Sequence, residues 1–227
     1  SALTGALAKF GAHPGHSLMP ATADNPEGYW EDAPLVGLDD ALLRTLGLRW
    51  DSLPPPPSGW RTLPIVRRFA ADAARVVAEE WGPARFAVVK DPRLCRLLPL
   101  WVDAFTAAGF DASCVLMARR PQEVAASLAR RDQFAPEKSL ALWCAHLVEA
   151  EEDRADFRAG QHLHVGCSLQ SVDILDRHGF HHIDLAREKR CHARRVGLDG
   201  LECHLGQIVL GLVPPIRIDL ELGLHPG

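Results

Sequence analysis

Arg119 and Ser127 stand eight positions apart, and between them runs Arg120-Pro121-Gln122-Glu123-Val124-Ala125-Ala126. The apolar run Ser113–Met117 just before them has the length and boundaries of a buried strand. Pro121 fixes its own φ and turns Arg120 away from helical geometry, so the chain bends there. Glu123 then sits where a carboxylate suits the first turn of a helix. An arginine leaving a strand end and a serine one to two turns into the next helix can converge on one anion. The guanidinium offers a fork of N–H donors and the hydroxyl one more. Lys90 occupies a comparable place, after the strand-like Phe86–Val89 and at the head of Lys90-Asp91-Pro92-Arg93. A third group of reactive side chains lies upstream: His13, His16, Glu27, Glu31 and Asp32. A carboxylate or a histidine is what a proton-abstracting step needs.

The elements that must position these groups follow from the apolar pattern. Alanine content and spacing predict a helix over Ala2–Phe10, and Leu38, Leu42, Leu43 and Leu46 share one face of a second over Leu38–Leu48. Four prolines at 54–57 mark Ser52–Gly59 as a polyproline spacer. Pro64–Trp81 reads as a long helix, Phe86–Val89 as a strand, Leu97–Ala108 as a helix and Ser113–Met117 as the next strand. Helices are expected at Glu123–Arg130 and Pro136–Phe157, the latter with Leu140, Trp143, Leu147 and Ala150 facing inward. Strands alternating with helices imply an α/β fold with a parallel sheet flanked by helices. Ligands of such sheets bind beyond the carboxyl ends of the strands, where both Lys90 and Arg119 fall.

The chain has 227 residues, enough for one domain with a sizeable core. A net charge of −4 argues against general nucleic-acid binding. No apolar run reaches the roughly 18 residues of a membrane span. Six scattered cysteines form no disulfide-like framework, which fits a reduced, cytoplasmic setting. Cys95, Cys114 and Cys144 lie in apolar stretches and read as buried thiols.

Three segments, in order, carry a family resemblance: Asn25-Pro26-Glu27-Gly28-Tyr29-Trp30-Glu31-Asp32, Lys90-Asp91-Pro92-Arg93, and the Arg119…Ser127 pair. Together they resemble bacterial sulfotransferases that use 3′-phosphoadenosine 5′-phosphosulfate (PAPS). The resemblance covers roughly residues 1–155. It implies a P-loop NTPase-like architecture and transfer of a sulfuryl group from PAPS to a hydroxyl or amine, without a metal. It implies that Arg119 and Ser127 hold the 3′-phosphate of the co-substrate and that Lys90 stabilises charge on the leaving phosphate. It makes Glu27 the first candidate for the base, with Glu31 and Asp32 as alternatives. Tyr29 and Trp30 would wall the acceptor pocket or simply anchor the core. The acceptor would be a small molecule or glycan, with no nucleic acid and no membrane as partner.

The family begins with a strand and a phosphate-cradling loop, whose backbone N–H groups converge on a phosphate. Here only Ser1 matches the end of that loop, so the first strand and phosphate loop are expected to be missing and the domain, residues 1–160, incomplete. Residues 161–227 form a divergent tail of uncertain structure. Eight of the eleven histidines fall there, and all six tryptophans and the single tyrosine fall before it. Its His and Cys residues lack the tight CxxC-type spacing of zinc sites, so no metal site is expected. Two rivals remain beside the enzyme. One is a non-catalytic remnant or binding protein. The other is a P-loop small-molecule kinase, which would need GxxxxGK[ST] and a magnesium-binding acid.

Overall fold

A computed structural model describes residues 2–23 and 25–154, together with the backbone of 162–167, 171–176, 179–184 and 207–213. Among the described residues there are six α-helices and six strands, with one short 3-10 turn at Trp60–Thr62: α1 (Ala2–Lys9), α2 (Ala33–Thr45), α3 (Pro64–Trp81), β1 (Ala87–Asp91), α4 (Leu94–Ala107), β2 (Asp111–Ala118), α5 (Pro121–Asp132), α6 (Pro136–Arg154), β3 (His162–Cys167), β4 (Ser171–Asp176), β5 (Gly179–Asp184) and β6 (Gln207–Val213). The mixture of helices with fewer strands is that of an α/β protein.

The sheet is mixed rather than wholly parallel. Its order is β1-β6-β2-β3, and β4 and β5 form a separate antiparallel pair. β2 and β3 run parallel, whereas β6 lies antiparallel between β1 and β2. The expected common direction of β1 and β2 is kept, because both oppose β6. On its other edge β1 meets residue 13: His13 N–H donates to Phe86 O and Val88 N–H to His13 O.

Alternation along β1 and β2 sends side chains to two cores. Ala87, Val89, Ala112, Cys114 and Leu116 join the large cluster with α2, α3, α4 and Ala150 of α6. Val88, with Val115 and Met117 against it, packs on Leu3, Ala6 and Leu7 of α1. A third cluster, Val124, Leu128 and Leu142, joins α5 to α6.

Helix starts follow local chemistry. The Asp32 side chain caps α2 by accepting from Leu35 N–H at 3.0 Å, so this helix begins earlier than its leucine pattern suggests. α3 and α5 each carry proline at the first position, where a missing N–H costs no helical bond. α4 differs from expectation, since it begins at Leu94 and runs through Pro99. An internal proline costs about 3 kcal/mol of helix. Here it sits inside a continuous buried block, Leu94 to Trp101, whose packing outweighs that loss.

α6 is rotated relative to its apolar reading. Leu140 is exposed, while Ser139, Leu142, His146, Glu149 and Ala150 are buried. The same rotation leaves Cys144 exposed, although Cys95 and Cys114 are buried as expected. Burial pushes the Cys114 thiol far up, which makes it inert as a nucleophile. Among the described residues, no helix is long and apolar enough to cross a membrane.

Candidate functional site

The carboxyl end of β1 is wholly buried, including Lys90 and Asp91. Lys90 is 1% exposed, and its Nζ donates to Glu31 Oε1 at 2.5 Å and to Tyr29 O at 3.1 Å. The Asn25–Asp32 segment therefore reaches Lys90 through Glu31. Glu27 is placed elsewhere, exposed in the turn that closes with Gly28 N–H on Asn25 O. Ser1 lies outside the described residues, as does Asp24.

The two aromatic residues divide their roles. Tyr29 supplies a carbonyl to Lys90, and its phenol shares a hydrogen bond with the Thr22 hydroxyl at 2.7 Å. Trp30 takes φ 58°, a left-handed conformation costly for an aromatic residue. Its indole lies against Gly5 of α1, where an added Cβ would come within 3.2 Å. Both rings are half-buried, so neither is a simple core anchor.

Asp91 ends β1 and Arg93 lies in the turn that follows it. Arg93 binds Asp40 of α2 through Nε at 2.7 Å and Asp91 through Nη1 at 3.1 Å. Asp91 Oδ1 also accepts from Arg93 N–H. Burial pushes the Asp91 carboxyl up to about 6, against the opposing pull of the Arg93 charge. Asp39 is fully buried nearby, accepts from Trp101 Nε1 at 2.7 Å, and is held well above the usual carboxylate range by burial and then by Asp91. This network ties the turn after β1 to α2 and α4.

Arg119 leaves the end of β2. Its Nη2 donates to Glu123 Oε2 at 3.1 Å, one turn into α5. Its carbonyl accepts from Trp143 Nε1 at 3.0 Å, which fixes the backbone against α6. Ser127 is on the buried face of α5. An anion drawn to Arg119 would have to share it with Glu123, a competitor that the spacing alone did not reveal.

Asp32, an alternative base on sequence grounds, is instead the cap of α2 and neighbours Glu80 of α3. Glu80 Oε2 accepts from His16 N–H at 2.7 Å and Ser17 N–H at 3.0 Å, and Oε1 accepts from the Ser17 hydroxyl at 3.0 Å. His13 is structural: its backbone pairs with β1 and its Nδ1 accepts from Gly15 N–H. Burial, and then His16, lowers the His13 pKa. Glu80 was missed by motif reading. Its one signal was phase, since positions 73, 76, 77, 80 and 81 form a single helical stripe.

Gly15 has φ 103° and no room for a side chain: an added Cβ would stand 2.7 Å from Asp32 Oδ2. Gly15→Ala is expected to cost about 1–3 kcal/mol, since alanine would be strained in that backbone and would displace the cap. Urea denaturation would measure the loss.

Among the described residues, no group of three or more His, Cys, Asp or Glu side chains is arranged to hold a metal ion. The histidines and cysteines of the tail lie outside the residues whose side chains are described. No family of known proteins, no curated protein and no solved structure matches the chain.

Proposed function

We propose that this chain derives from a PAPS-dependent sulfotransferase, with the co-substrate binding beyond the carboxyl ends of β1 and β2. The observation that carries the reading is the placement of Lys90 and Arg119 at the ends of two strands of common direction, with Glu31 delivered to Lys90 by the Asn25–Asp32 segment. The three segments that resemble the family are the three that supply these groups. A P-loop-like relation of β1 and β2, which run in a common direction on either side of β6, belongs to this proposal too.

In the reaction, a lone pair on the acceptor oxygen or nitrogen attacks sulfur in line with the bond to the leaving phosphate. That S–O bond breaks, and the acceptor proton passes to a carboxylate. We assign the proton to Glu31 rather than Glu27, because Glu31 shares a contact with Lys90 and Glu27 stands in the outer turn. The Lys90 ammonium would offset charge on the leaving phosphate. Arg119 and Ser127 would hold the 3′-phosphate, with Glu123 giving up the guanidinium as the phosphate arrives. The acceptor would be a small molecule or glycan bearing a hydroxyl or amine.

One observation favours a second reading, that of a non-catalytic remnant. Lys90 is almost fully buried and already satisfied by Glu31 and Tyr29 O, as a structural pair would be. Calorimetric titration of PAP, the desulfated co-substrate, separates the two. The sulfotransferase reading expects binding that weakens at least tenfold in Arg119→Ala, the scale of one charge-assisted contact. No binding by folded wild-type chain would leave the remnant. Binding that appears only with magnesium would favour a kinase-type nucleotide site instead.

A further inference from the structure

We infer that Asp32 and Glu80 form a proton-sharing clamp that pins the His13–Ser17 loop to α3 and thereby positions Glu31, and that ionising both carboxyls loosens it. The role given to Glu31 rests on the proposed sulfuryl transfer; the clamp itself does not. Glu80 lies in the apolar stripe of α3 and is 7% exposed. Two backbone N–H groups and one hydroxyl donate to it, a set that favours the ionised carboxylate. Asp32 is 2% exposed beside it. Its Oδ1 is taken by Leu35 N–H, and its buried Oδ2 has no well-formed hydrogen bond, the Ser17 N–H that also pulls on this carboxyl being bonded to Glu80. Ionised, that oxygen would be a buried acceptor without a well-formed hydrogen bond; protonated, it donates to Glu80 and the pair is satisfied.

The loop carries this state to Glu31 through backbone bonds. Ala33 N–H donates to Ser17 O at 2.8 Å, and Met19 N–H donates to Glu31 O at 2.7 Å. Leu18 and Asp32 form an antiparallel bridge between them. Gly15 leaves no room for a side chain beside Asp32 Oδ2, so the loop and the cap are closely packed there. The titratable groups about the pair are His13, whose ring feels the Glu80 charge, and His16 beside it, both from the loop, while Glu31, next in sequence to Asp32, is held by Lys90 of β1.

The Asp32 carboxyl is raised to about 7, by burial first and by the Glu80 charge further down, while Glu80 is lowered by its donors. A folded pKa above the unfolded one gives stability that is full below the ordinary carboxylate range and is lost as pH rises through about 7. Asp32→Asn keeps an acceptor for Leu35 N–H and donates N–H to Glu80 at every pH.

The test uses the full chain, wild type against Asp32→Asn, between pH 5.5 and 8.5. Between pH 5.5 and 7 the wild type should lose melting temperature relative to the variant, and above 7 the difference should level off. The wild type should lose about 4 °C relative to the variant between pH 5.5 and pH 8.5. The His16 and Ser17 amides and the Glu31 side-chain carboxyl should shift in NMR with a midpoint near 7 in the wild type alone. Superimposable melting profiles, or shifts that persist unchanged in Asp32→Asn and so belong to the histidine rings, would overturn the clamp. A Glu31 carboxyl that does not follow the amides would overturn the positioning. None of these readouts needs PAP to bind, so a failed PAP titration removes the proposed function and leaves this inference standing or falling by itself.

Discussion

Arg96→Met is expected to destabilise the chain by about 3–5 kcal/mol, as breaking a buried ion pair does. Arg96 is fully buried, and its guanidinium N–H groups find a closed set of acceptors. Nε and Nη2 each reach a Glu149 oxygen at 2.7 Å. Nη1 reaches Ser52 O at 2.9 Å and Arg49 O at 3.4 Å, and Nη2 also reaches Pro54 O at 2.6 Å. One side chain on α4 therefore holds both α6 and the segment that carries the chain from α2 towards α3. Methionine fills similar volume but leaves Glu149 buried without a counter-charge and takes the donor from Ser52 O and Pro54 O, while Arg49 O keeps Ser52 N–H. Lysine should not rescue, because an ammonium cannot match the planar fork. Arg96→Met combined with Glu149→Leu should recover part of the loss, since the stranded charge is gone while the carbonyls stay unpaired. Urea denaturation of the two single variants and the double variant measures this. A loss under about 1 kcal/mol for Arg96→Met would mean that water or rearrangement replaces the network.

The same network shows what the apolar pattern can and cannot reveal. α3 was legible to the residue, because a proline at the first helical position marks a start that packing rarely moves, whereas α5, expected at Glu123–Arg130, takes in Pro121 at its start and runs on to Asp132. β1 and β2 were legible because their apolar runs are short and sharply bounded. The inward face of α6 was not. Ser139, His146 and Glu149 look like surface residues, and only their partners bury them: Ala135 O for Ser139, Trp50 O for His146 and Arg96 for Glu149. Periodicity scores an ion pair as exposed, so any helix that buries one is read rotated. His146 shows the depth of that burial, which lowers its pKa to about 4, with the Arg96 charge adding to the effect.

The candidate site was legible by type rather than by pairing. Arg119 stands just past β2 as expected, whereas Lys90, expected beyond the end of its strand, is a paired residue of β1 one position before its end. Which carboxylate meets Lys90 depended on the path of Asn25–Asp32, and a run holding three acids in six positions does not fix that path. Trp30 in left-handed geometry helps set it, and nothing in an aromatic residue announces such a φ. Asp32, by contrast, carried a signal that motif reading passed over. An aspartate followed by Ala-Pro-Leu is a helix start, which commits one of its oxygens to a cap.

Lys90→Met should cost about 3–5 kcal/mol, because it leaves Glu31 buried without its counter-charge and Tyr29 O without its donor. Glu31→Gln should cost less, since the amide oxygen still accepts from Lys90. Lys90→Met with Glu31→Leu should recover much of the single-variant loss, as apolar replacement of a buried pair often does. These three stabilities follow from geometry and hold whether or not the chain is an enzyme. Function enters only in how the same variants treat PAP and turnover. If Glu31 takes the acceptor proton, Glu31→Gln should bind PAP as the wild type does and lose sulfuryl transfer at least 10²-fold. If the pair is purely structural, Glu31→Gln should change PAP binding and turnover no more than its stability loss explains. Stability measured by urea, PAP affinity by calorimetry and transfer from PAPS under the same buffer would separate the two. A folded Glu31→Gln with undiminished transfer would remove Glu31 from the chemistry and return the base to Glu27. The buried pair would then be what its 1% exposed lysine suggests by itself, a fixed joint between β1 and the loop before α2.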